Sequence, residues 1–485
     1  MVKVVKYFAL TLLTASLPLA GCLKLGPDFK APAAPAPLPA GFQHGDAKTI
    51  SYVEQDQWWR EFNDPELDRL VHLALTRNPD IQKAAARVLE VQAFVTQAAS
   101  QRYPALNLEA GAKRQQSTLT EGLPAFLATD RRTETYNLGL AASFELDLWG
   151  RLARAEEAAR ADLLQAKENR RTVVQSMVAE TVIAYLKQEA VERRLAVAQD
   201  SLASYRQNLK LVDSRYRRGL ASVLDVHQAR RALAQAQAKI PPLELELGQE
   251  QQKLAILVGS YPQTRPARSQ PEDYFRALNP VPAGLPAELL LRRPDLRAAL
   301  AGLKAQNARV GEAMAARFPT LKLTGGFGYS TDALGRLTNP GSELWSLAAG
   351  LTQPLFDAGL REAQQRAAEA RYAQGMADYA KTALKAFSEV EGALLTRQKE
   401  IKRRDLVKET LFQAKATQEA ALSRYQRGLT DYLSVLEAQQ TRYAVEDTLV
   451  LNELSILTNR VSLHRALGGG WDRIRPALAR GDEKL

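Results

Sequence analysis

The sequence has 485 residues, which is enough for two or three ordinary domains. Only 7% of them are aromatic, while Ala, Leu, Arg, Gln and Glu are abundant, and this composition favours long helices over a thick globular core. The net charge of +11 comes from basic residues scattered along the predicted helices, so the charge pattern argues against a nucleic-acid-binding protein.

The first 21 residues have the charged, apolar and small-residue order of a secretory signal peptide. They end in Leu19-Ala20-Gly21 before Cys22, which resembles the processing motif of bacterial lipoproteins. The resemblance implies cleavage before Cys22 and a covalent lipid, such as palmitate, on that cysteine. It also implies sorting to the outer membrane, since Leu23 is not the inner-membrane retention residue Asp. An ordinary signal peptide followed by a chance cysteine is the alternative.

A stretch rich in Pro and Ala follows the cysteine. Residues 31–40 alternate these two residue types and predict an extended tether. Beyond the signal peptide no stretch approaches the roughly 18 apolar residues of a membrane-spanning helix, so the sequence predicts none.

Residues 76–259 form the first of two similar halves. A short helix is predicted to begin at Pro79, because proline is favoured at the first position of a helix. Residues 106–113 and 135–148 then alternate apolar and polar side chains. Because a period of two is typical of β-strands, we predict a strand pair within residues 103–149.

A helical hairpin at residues 152–258 completes this half. Leu152 to Arg218 contain neither Gly nor Pro, which predicts about 100 Å of helix at about 1.5 Å per residue. Near its end, apolar residues three and four apart predict a coiled-coil seam. The chain is expected to reverse at Gly219, to enter a second helix at Leu220 and to break that helix at Pro241-Pro242.

Residues 291–468 repeat this order. A helix is predicted from Pro294, a strand pair within residues 318–356, and a helical hairpin at 358–467 that reverses at Gly428 and whose second helix starts at Leu429. We infer that one structural unit of about 210 residues is present twice.

Each of the four strands is long enough to cross a membrane, since a tilted transmembrane strand needs about 9–11 residues. An ordinary soluble sheet with one wet face is the alternative. Four strands are too few to close a barrel, and an open edge in lipid costs several kcal/mol per unpaired group. A membrane location therefore requires two or three copies of the chain, with 8 or 12 strands together.

Motifs distributed over the whole mature chain carry a family resemblance. Besides the lipoprotein motif, they are Gly26-Pro27-Asp28-Phe29, Trp58-Trp59, Phe144-Glu145-Leu146-Asp147-Leu148-Trp149-Gly150-Arg151, Gln353-Pro354-Leu355-Phe356-Asp357-Ala358-Gly359 and two Arg-Tyr…Arg-Gly-Leu reversals. Together they resemble the TolC/OprM type of outer-membrane efflux lipoprotein, in the NodT-like subfamily of outer-membrane factors.

The resemblance implies an internally duplicated α+β membrane protein. It would be a homotrimer with a 12-stranded transmembrane β-barrel, four strands per chain, continued by a long periplasmic α-helical coiled-coil barrel. Equatorial segments would occupy residues 22–75, 260–290 and 469–485. The implied function is the exit duct of a three-part pump in the Gram-negative outer membrane, exporting small molecules such as drugs. A periplasmic adaptor, an inner-membrane transporter and outer-membrane lipid would be the partners, and antibiotic resistance the consequence.

The sequence has no arrangement of residues typical of an enzyme. The four histidines are scattered without metal-ligand spacing, and no phosphate-binding loop ends in Gly-Lys-Ser/Thr. We therefore expect no catalytic residues, no metal, and no cofactor other than the lipid on Cys22. The channel would be a passive conduit whose transport energy comes from a partner.

A gate is expected at the second helix reversal. Leu433 and Glu437 are four residues apart on one helical face, where symmetry would turn them into an apolar ring and a carboxylate ring. The resemblance implies that these residues and Tyr425 form the periplasmic gate. A coiled-coil position and a solvated charge are the alternative. Some relatives have Arg where Gln440 stands, and Asp where Glu437 stands, so the ion pair of those relatives is absent here.

The two reversals are also candidate docking points for the adaptor. The tip residues are Arg218, Gly219, Leu220, Arg427, Gly428 and Leu429. Helix termination alone is the alternative explanation, because glycine suits the left-handed position that ends a helix.

Two other functions fit parts of the pattern. A duct of the same shape would serve type I protein secretion. A periplasmic adaptor or coiled-coil scaffold lipoprotein would share the lipidated N-terminus and a helical hairpin. An adaptor has one hairpin and no duplicated strand pairs, and the motif set favours efflux.

Overall fold

The computed structural model describes residues 24–35, 37–39, 41–45, 57–118, 130–264, 281, 284 and 286–469. The predicted signal peptide, Cys22, most of the predicted segment 260–290 and nearly all of the segment 469–485 lie outside these residues.

The first half begins with a short 3-10 helix at Trp58–Phe62 and continues through five helices and two strands. They are α1 (Pro65–Arg77), α2 (Pro79–Ser100), β1 (Ala105–Thr118), β2 (Asp130–Leu146), α3 (Arg151–Arg217), α4 (Val223–Ala238) and α5 (Ile240–Leu257). The break between α4 and α5 lies at Lys239, two residues before Pro241, and the two prolines occupy the first turn of α5.

The second half has the same order of elements, with one undivided returning helix. It consists of α6 (Pro286–Arg292), α7 (Pro294–Ala315), β3 (Thr320–Thr331), β4 (Glu343–Thr352), α8 (Leu360–Gln426) and α9 (Tyr432–Ala466). The long helices α3 and α8 have 67 residues each.

The four strands form one antiparallel sheet in the order β1-β2-β3-β4. The two predicted strand pairs are therefore joined, because β2 of the first half pairs with β3 of the second half from Leu146 opposite Leu321 to Tyr136 opposite Thr331. β2 also begins at Asp130, five residues before the predicted start at Thr135. Within the described strands, β1 and β4 each pair on one side only.

The returning helices begin later than predicted. Gly219 and Gly428 end the long helices with φ of 72° and 76°, and the next N–H in each case donates to a carbonyl five residues back at 2.9 Å. After each reversal the chain continues for a few residues before the next helix begins. Ser222 then caps α4, and Asp431 caps α9. The starts predicted at Leu220 and Leu429 are thus wrong by three residues, because a side-chain cap rather than the glycine decides where a helix begins.

The chain divides into two compact units. Unit 1 comprises residues 1–33, 87–166 and 298–379 and contains the sheet. Unit 2 comprises residues 34–86, 167–297 and 380–485 and contains the helix reversals. Each unit takes segments from both halves of the sequence, and α3 and α8 contribute to both.

Within the part of the chain that the structure describes, no helix combines the length and the apolar character that crossing a bilayer requires.

Candidate functional site

The predicted gate residues Leu433 and Glu437 lie on the uncovered face of α9. Leu433 is 41% exposed, and Glu437 and Gln440 are exposed with it. The opposite face of the same turns is buried, with Leu436 and Gln439 each no more than 1% exposed. In a single chain, therefore, both side chains point away from the core and are available to another copy or to the interior of a channel.

Tyr425 has a different position, inside the packing between the two hairpins. It is 3% exposed, and its ring centroid lies 5.5 Å from that of Tyr432. The Arg215 guanidinium lies over the Tyr425 ring at 4.8 Å and donates to the Gln426 carbonyl oxygen at 2.9 Å. Burial, together with the charge of Asp225, raises the pKa of the Tyr425 hydroxyl. Tyr425 thus supports the reversal from within and does not share the face of Leu433 and Glu437.

Arg215 is a site residue that the sequence reasoning missed. It belongs to the repeated Ser-Arg-Tyr motif at 214–216, so the signal was present. Its partner is more than 200 positions away, and spacing along the chain does not reveal such a contact. Through Arg215 the end of α3 is held against the end of α8.

A buried polar contact also joins α3 to α9 close to the predicted gate residues. Asn208 Nδ2 donates to Gln439 Oε1 at 2.7 Å, and Gln439 Nε2 donates to Ser204 Oγ at 2.8 Å. Gln439 is fully buried. A buried amide that lost these partners would be costly, so this contact sets the register of α9 on α3 and hence the direction of Leu433 and Glu437.

An aromatic and aliphatic cluster surrounds these contacts. Its buried members are Leu202, Tyr205, Val212, Val226, Ala229, Ala232, Ala236, Tyr425, Tyr432, Val435 and Leu436. Burial beside Tyr443 raises the pKa of Tyr205 to about 12, so this hydroxyl stays neutral at physiological pH. The exposed face of Leu433 and Glu437 therefore lies on a closely packed support.

The tip residues form two equivalent ends. Arg218 donates to the Ser214 carbonyl and hydroxyl oxygens at 3.2 and 3.3 Å, and Arg427 donates to Ser423 Oγ at 3.0 Å. Each arginine therefore bonds to its own helix, while the leucine that follows each glycine is exposed. Val223 and Leu224 are exposed as well, which gives the first tip the larger apolar surface.

One face of the sheet carries a row of large apolar side chains. Leu108, Leu140, Phe327 and Trp345 are direct cross-strand partners, so they lie on the same face. All four are exposed, Trp345 by 75%. A contiguous exposed apolar row of this kind marks contact with a membrane or another protein.

Among the described residues, no group of three or more His, Cys, Asp or Glu side chains is arranged to hold a metal ion.

Comparisons with known proteins agree with this architecture. A family model described as outer membrane efflux protein matches residues 70–260 and 285–469. The cation efflux system protein CusC of Escherichia coli O6:H1 is 33% identical over 459 residues, which cover 94% of this chain and 98% of the relative. The solvent efflux pump outer membrane protein SrpC of Pseudomonas putida is 34% identical over 466 residues, with the same shares of 94% and 98%.

A solved structure is similar over nearly the same length. The outer-membrane channel OprN superposes with a TM-score of 0.85 at 29% identity, covering 92% of this chain and 99% of that one. These matches confirm the resemblance that the sequence motifs carry. The chain belongs to the outer membrane efflux protein family and is an outer-membrane efflux channel.

Proposed function

We propose that this channel is the exit duct of a three-part pump, working with a periplasmic adaptor and an inner-membrane transporter. It is a homotrimer in which each chain contributes four strands to a 12-stranded barrel, and the paired helices form a tunnel in the periplasm. The lipid on Cys22 anchors each chain to the outer membrane. The family model matches one segment in each half of the chain, which supports an origin by duplication.

The sheet carries this proposal. Its exposed apolar row suits lipid, whereas its outer strands β1 and β4 pair on one side only among the described strands. In lipid each unpaired backbone group at such an edge costs several kcal/mol, so neighbouring copies must pair β1 with β4. Two copies would supply 8 strands and three would supply 12, and membership of the efflux family favours three.

The oligomer and its conductance test the proposal together. Purified mature protein in detergent is expected to have the mass of three chains and to conduct ions in planar lipid bilayers. Mass spectrometry or light scattering measures the first property and single-channel recording the second. A monomer that stays soluble without detergent and passes no current would contradict the proposal.

The transporter and the adaptor, rather than the duct, select the cargo. Relatives named for cations and for solvents are 33% and 34% identical to this chain, so overall identity favours neither cargo. We propose export of small molecules such as drugs, through a passive conduit that hydrolyses no nucleotide.

Removing the gate side chains is expected to make the resting channel leak. In the double variant Leu433→Ala, Glu437→Ala, the apolar ring and the carboxylate ring are both lost, so conductance at rest should rise several-fold and cation preference should fall. Single-channel recording with asymmetric salt measures both quantities. Leu451→Ala, an exposed leucine further along α9, is the matched control and should leave the channel unchanged. Unaltered conductance in the double variant would show that Leu433 and Glu437 do not form the gate.

A further inference from the structure

A buried arginine holds the residues that follow the predicted lipid anchor. Arg154, in the first turn of α3, is only 1% exposed. Its Nε donates to the Leu25 carbonyl oxygen at 3.0 Å, and its Nη2 donates to the Gly26 carbonyl oxygen at 3.0 Å and to Asp28 Oδ1 at 3.1 Å. Its Nη1 donates to Glu157 Oε2 at 2.9 Å. Every nitrogen of the guanidinium therefore has a partner, and most of those partners belong to the N-terminal segment.

Two further hydrogen bonds hold the same segment. The Leu25 N–H donates to the Trp149 carbonyl oxygen at 3.1 Å, and Asn307 Nδ2 donates to the Pro27 carbonyl oxygen at 2.8 Å. Trp149 precedes α3 and Asn307 lies in α7, so elements from both halves of the chain bind the segment within unit 1.

The backbone of Gly26 fits against α7 so closely that only glycine is accommodated. Its φ is +90°, and a Cβ placed there would lie 2.4 Å from the Gly311 Cα. Lys24, two residues earlier, pairs with Glu157 at 2.5 Å. The close approach and the ion pair define one conformation for residues 24–28.

Burial of Arg154 depends on the N-terminal segment being in place. Removing a guanidinium from water is unfavourable unless its donors are satisfied, and Leu25, Gly26 and Asp28 supply three of its four acceptors. If the segment left, water would have to replace these three charge-assisted hydrogen bonds, and their loss makes release of the segment unfavourable.

The segment ends beside the junction of the sheet with the helices. Tyr103, Leu355 and Phe356, which lie at strand ends in the same unit, are exposed, and the last two almost fully. Exposed aromatic and apolar side chains at strand ends suit the interface of a bilayer. Lys24 is two residues after Cys22, so the chain between them reaches at most about 7 Å.

We propose that Arg154, with Leu25, Gly26 and Asp28, forms a clamp that fixes the exit point of the lipid anchor at this junction. The role rests on the proposed function, because it requires a lipid on Cys22. With the clamp closed, the anchor has about 7 Å of chain; with the clamp open, residues 24–30 would add about 20 Å of slack. The clamp therefore keeps the acyl chains beside the strand ends and limits the tilt and depth of each chain in the membrane.

Limited trypsin digestion of washed outer-membrane fragments that carry the acylated protein tests the clamp. Lys24 lies within the clamped segment and Lys30 beyond it, and both are exposed side chains in the same stretch. In the wild type, we expect cleavage after Lys24 to be at least about 10-fold slower than after Lys30, because the clamped backbone must open first. In Arg154→Met, the two rates should agree within about two-fold. Mass spectrometry of the lipopeptides and of the new N-termini gives both rates.

Matched variants distinguish loss of the clamp from a general loss of stability. Arg160→Met removes another arginine of α3, which is exposed and paired with Glu156, and should cleave as the wild type does. If Arg154→Met fails to fold, Gly26→Val replaces it, because its Cβ would meet the Gly311 backbone and is expected to displace the segment without removing a side chain from the folded body. Equal cleavage at Lys24 and Lys30 in the wild type, or unchanged protection of Lys24 in both variants, would overturn the clamp.

A carbonate wash after complete cleavage distinguishes this inference from the proposed function. A body that stays in the membrane without its lipid supports the membrane-spanning sheet. A body that is released contradicts the proposed barrel, while the ratio of the two cleavage rates still decides the clamp.

Discussion

Replacing Tyr432 with alanine is expected to destabilise the packing at the helix reversals by about 4 kcal/mol, because it removes a fully buried aromatic side chain. Tyr432 is 1% exposed and packs on Tyr425 within the cluster that joins α3, α4, α8 and α9. Hydrogen exchange should therefore show a loss of protection on the order of 1,000-fold for amides of α4 and the first turns of α9.

The same variant links the packing to the gate. Leu433 directly follows Tyr432, so loss of the buried ring frees the turn that directs Leu433 and Glu437, the predicted gate residues. We expect a leak similar to that of the gate variant. Tyr216→Ala is the matched control, because Tyr216 lies near the other tip, at the end of α3, and is exposed. Protection that survives in Tyr432→Ala would show that the cluster does not support the reversal.

Acidification is expected to weaken unit 2 through His464, near the end of α9. This histidine is 1% exposed and stacks on Trp58, with ring centroids 5.0 Å apart and planes 10° apart. Neither of its ring nitrogens has a hydrogen-bond partner among the described residues. The Glu61 carboxylate is 3.9 Å from His464 Nε2 but is already bound by Arg460. Burial and the charge of Arg460 hold the pKa of His464 down to about 3.

The direction of the pH effect follows from this depressed pKa. An unfolded histidine takes up a proton below about pH 6.5, whereas the folded one does so only near pH 3. The stabilisation is thus fully present above pH 6.5 and is lost as the pH falls towards 3. We expect the free energy of unfolding at pH 5 to be about 2 kcal/mol lower than at pH 7.

Two phenylalanine variants isolate the contribution of His464. His464→Phe keeps a flat ring against Trp58 but does not titrate. The difference in the free energy of unfolding between pH 7 and pH 5 should therefore be about 2 kcal/mol smaller in this variant than in the wild type. His72→Phe changes an exposed histidine of the same unit and should leave the difference as in the wild type. Guanidinium unfolding in detergent, followed by tryptophan fluorescence, measures both. If the free energy of unfolding fell as much between pH 7 and pH 5 in His464→Phe as in the wild type, groups other than His464 would cause the acid sensitivity.

Local patterns in the sequence predicted the helices and strands well, but they predicted the first residues of some helices less well. The alternation of apolar residues at 106–113 and 135–148 predicted strands, and the long stretch without Gly or Pro predicted α3 nearly to the residue. The starts of α4 and α9 were misplaced, because Ser222 and Asp431 cap these helices after the glycine turn has ended. A cap depends on one side chain, and periodicity does not detect it.

At the candidate site, too, the local pattern was predictive and the long-range contact was not. The spacing of Leu433 and Glu437 was sufficient to place them on one face, and the structure leaves that face uncovered in the single chain. The burial of Tyr425 under Arg215 was not predicted, because the two residues meet only after both hairpins have packed.

The sequence by itself determined the kinds of element, their order in two similar halves, and the family. Those properties follow from periodicity, from proline and glycine positions and from motifs, all of which act over a few residues. Only the tertiary structure decided that β2 pairs with β3, that Arg215 covers Tyr425, and that Arg154 holds the N-terminal segment. Each of these contacts joins residues more than 100 positions apart, and their free energy comes from burial and hydrogen bonding that exist only when the distant segments have met.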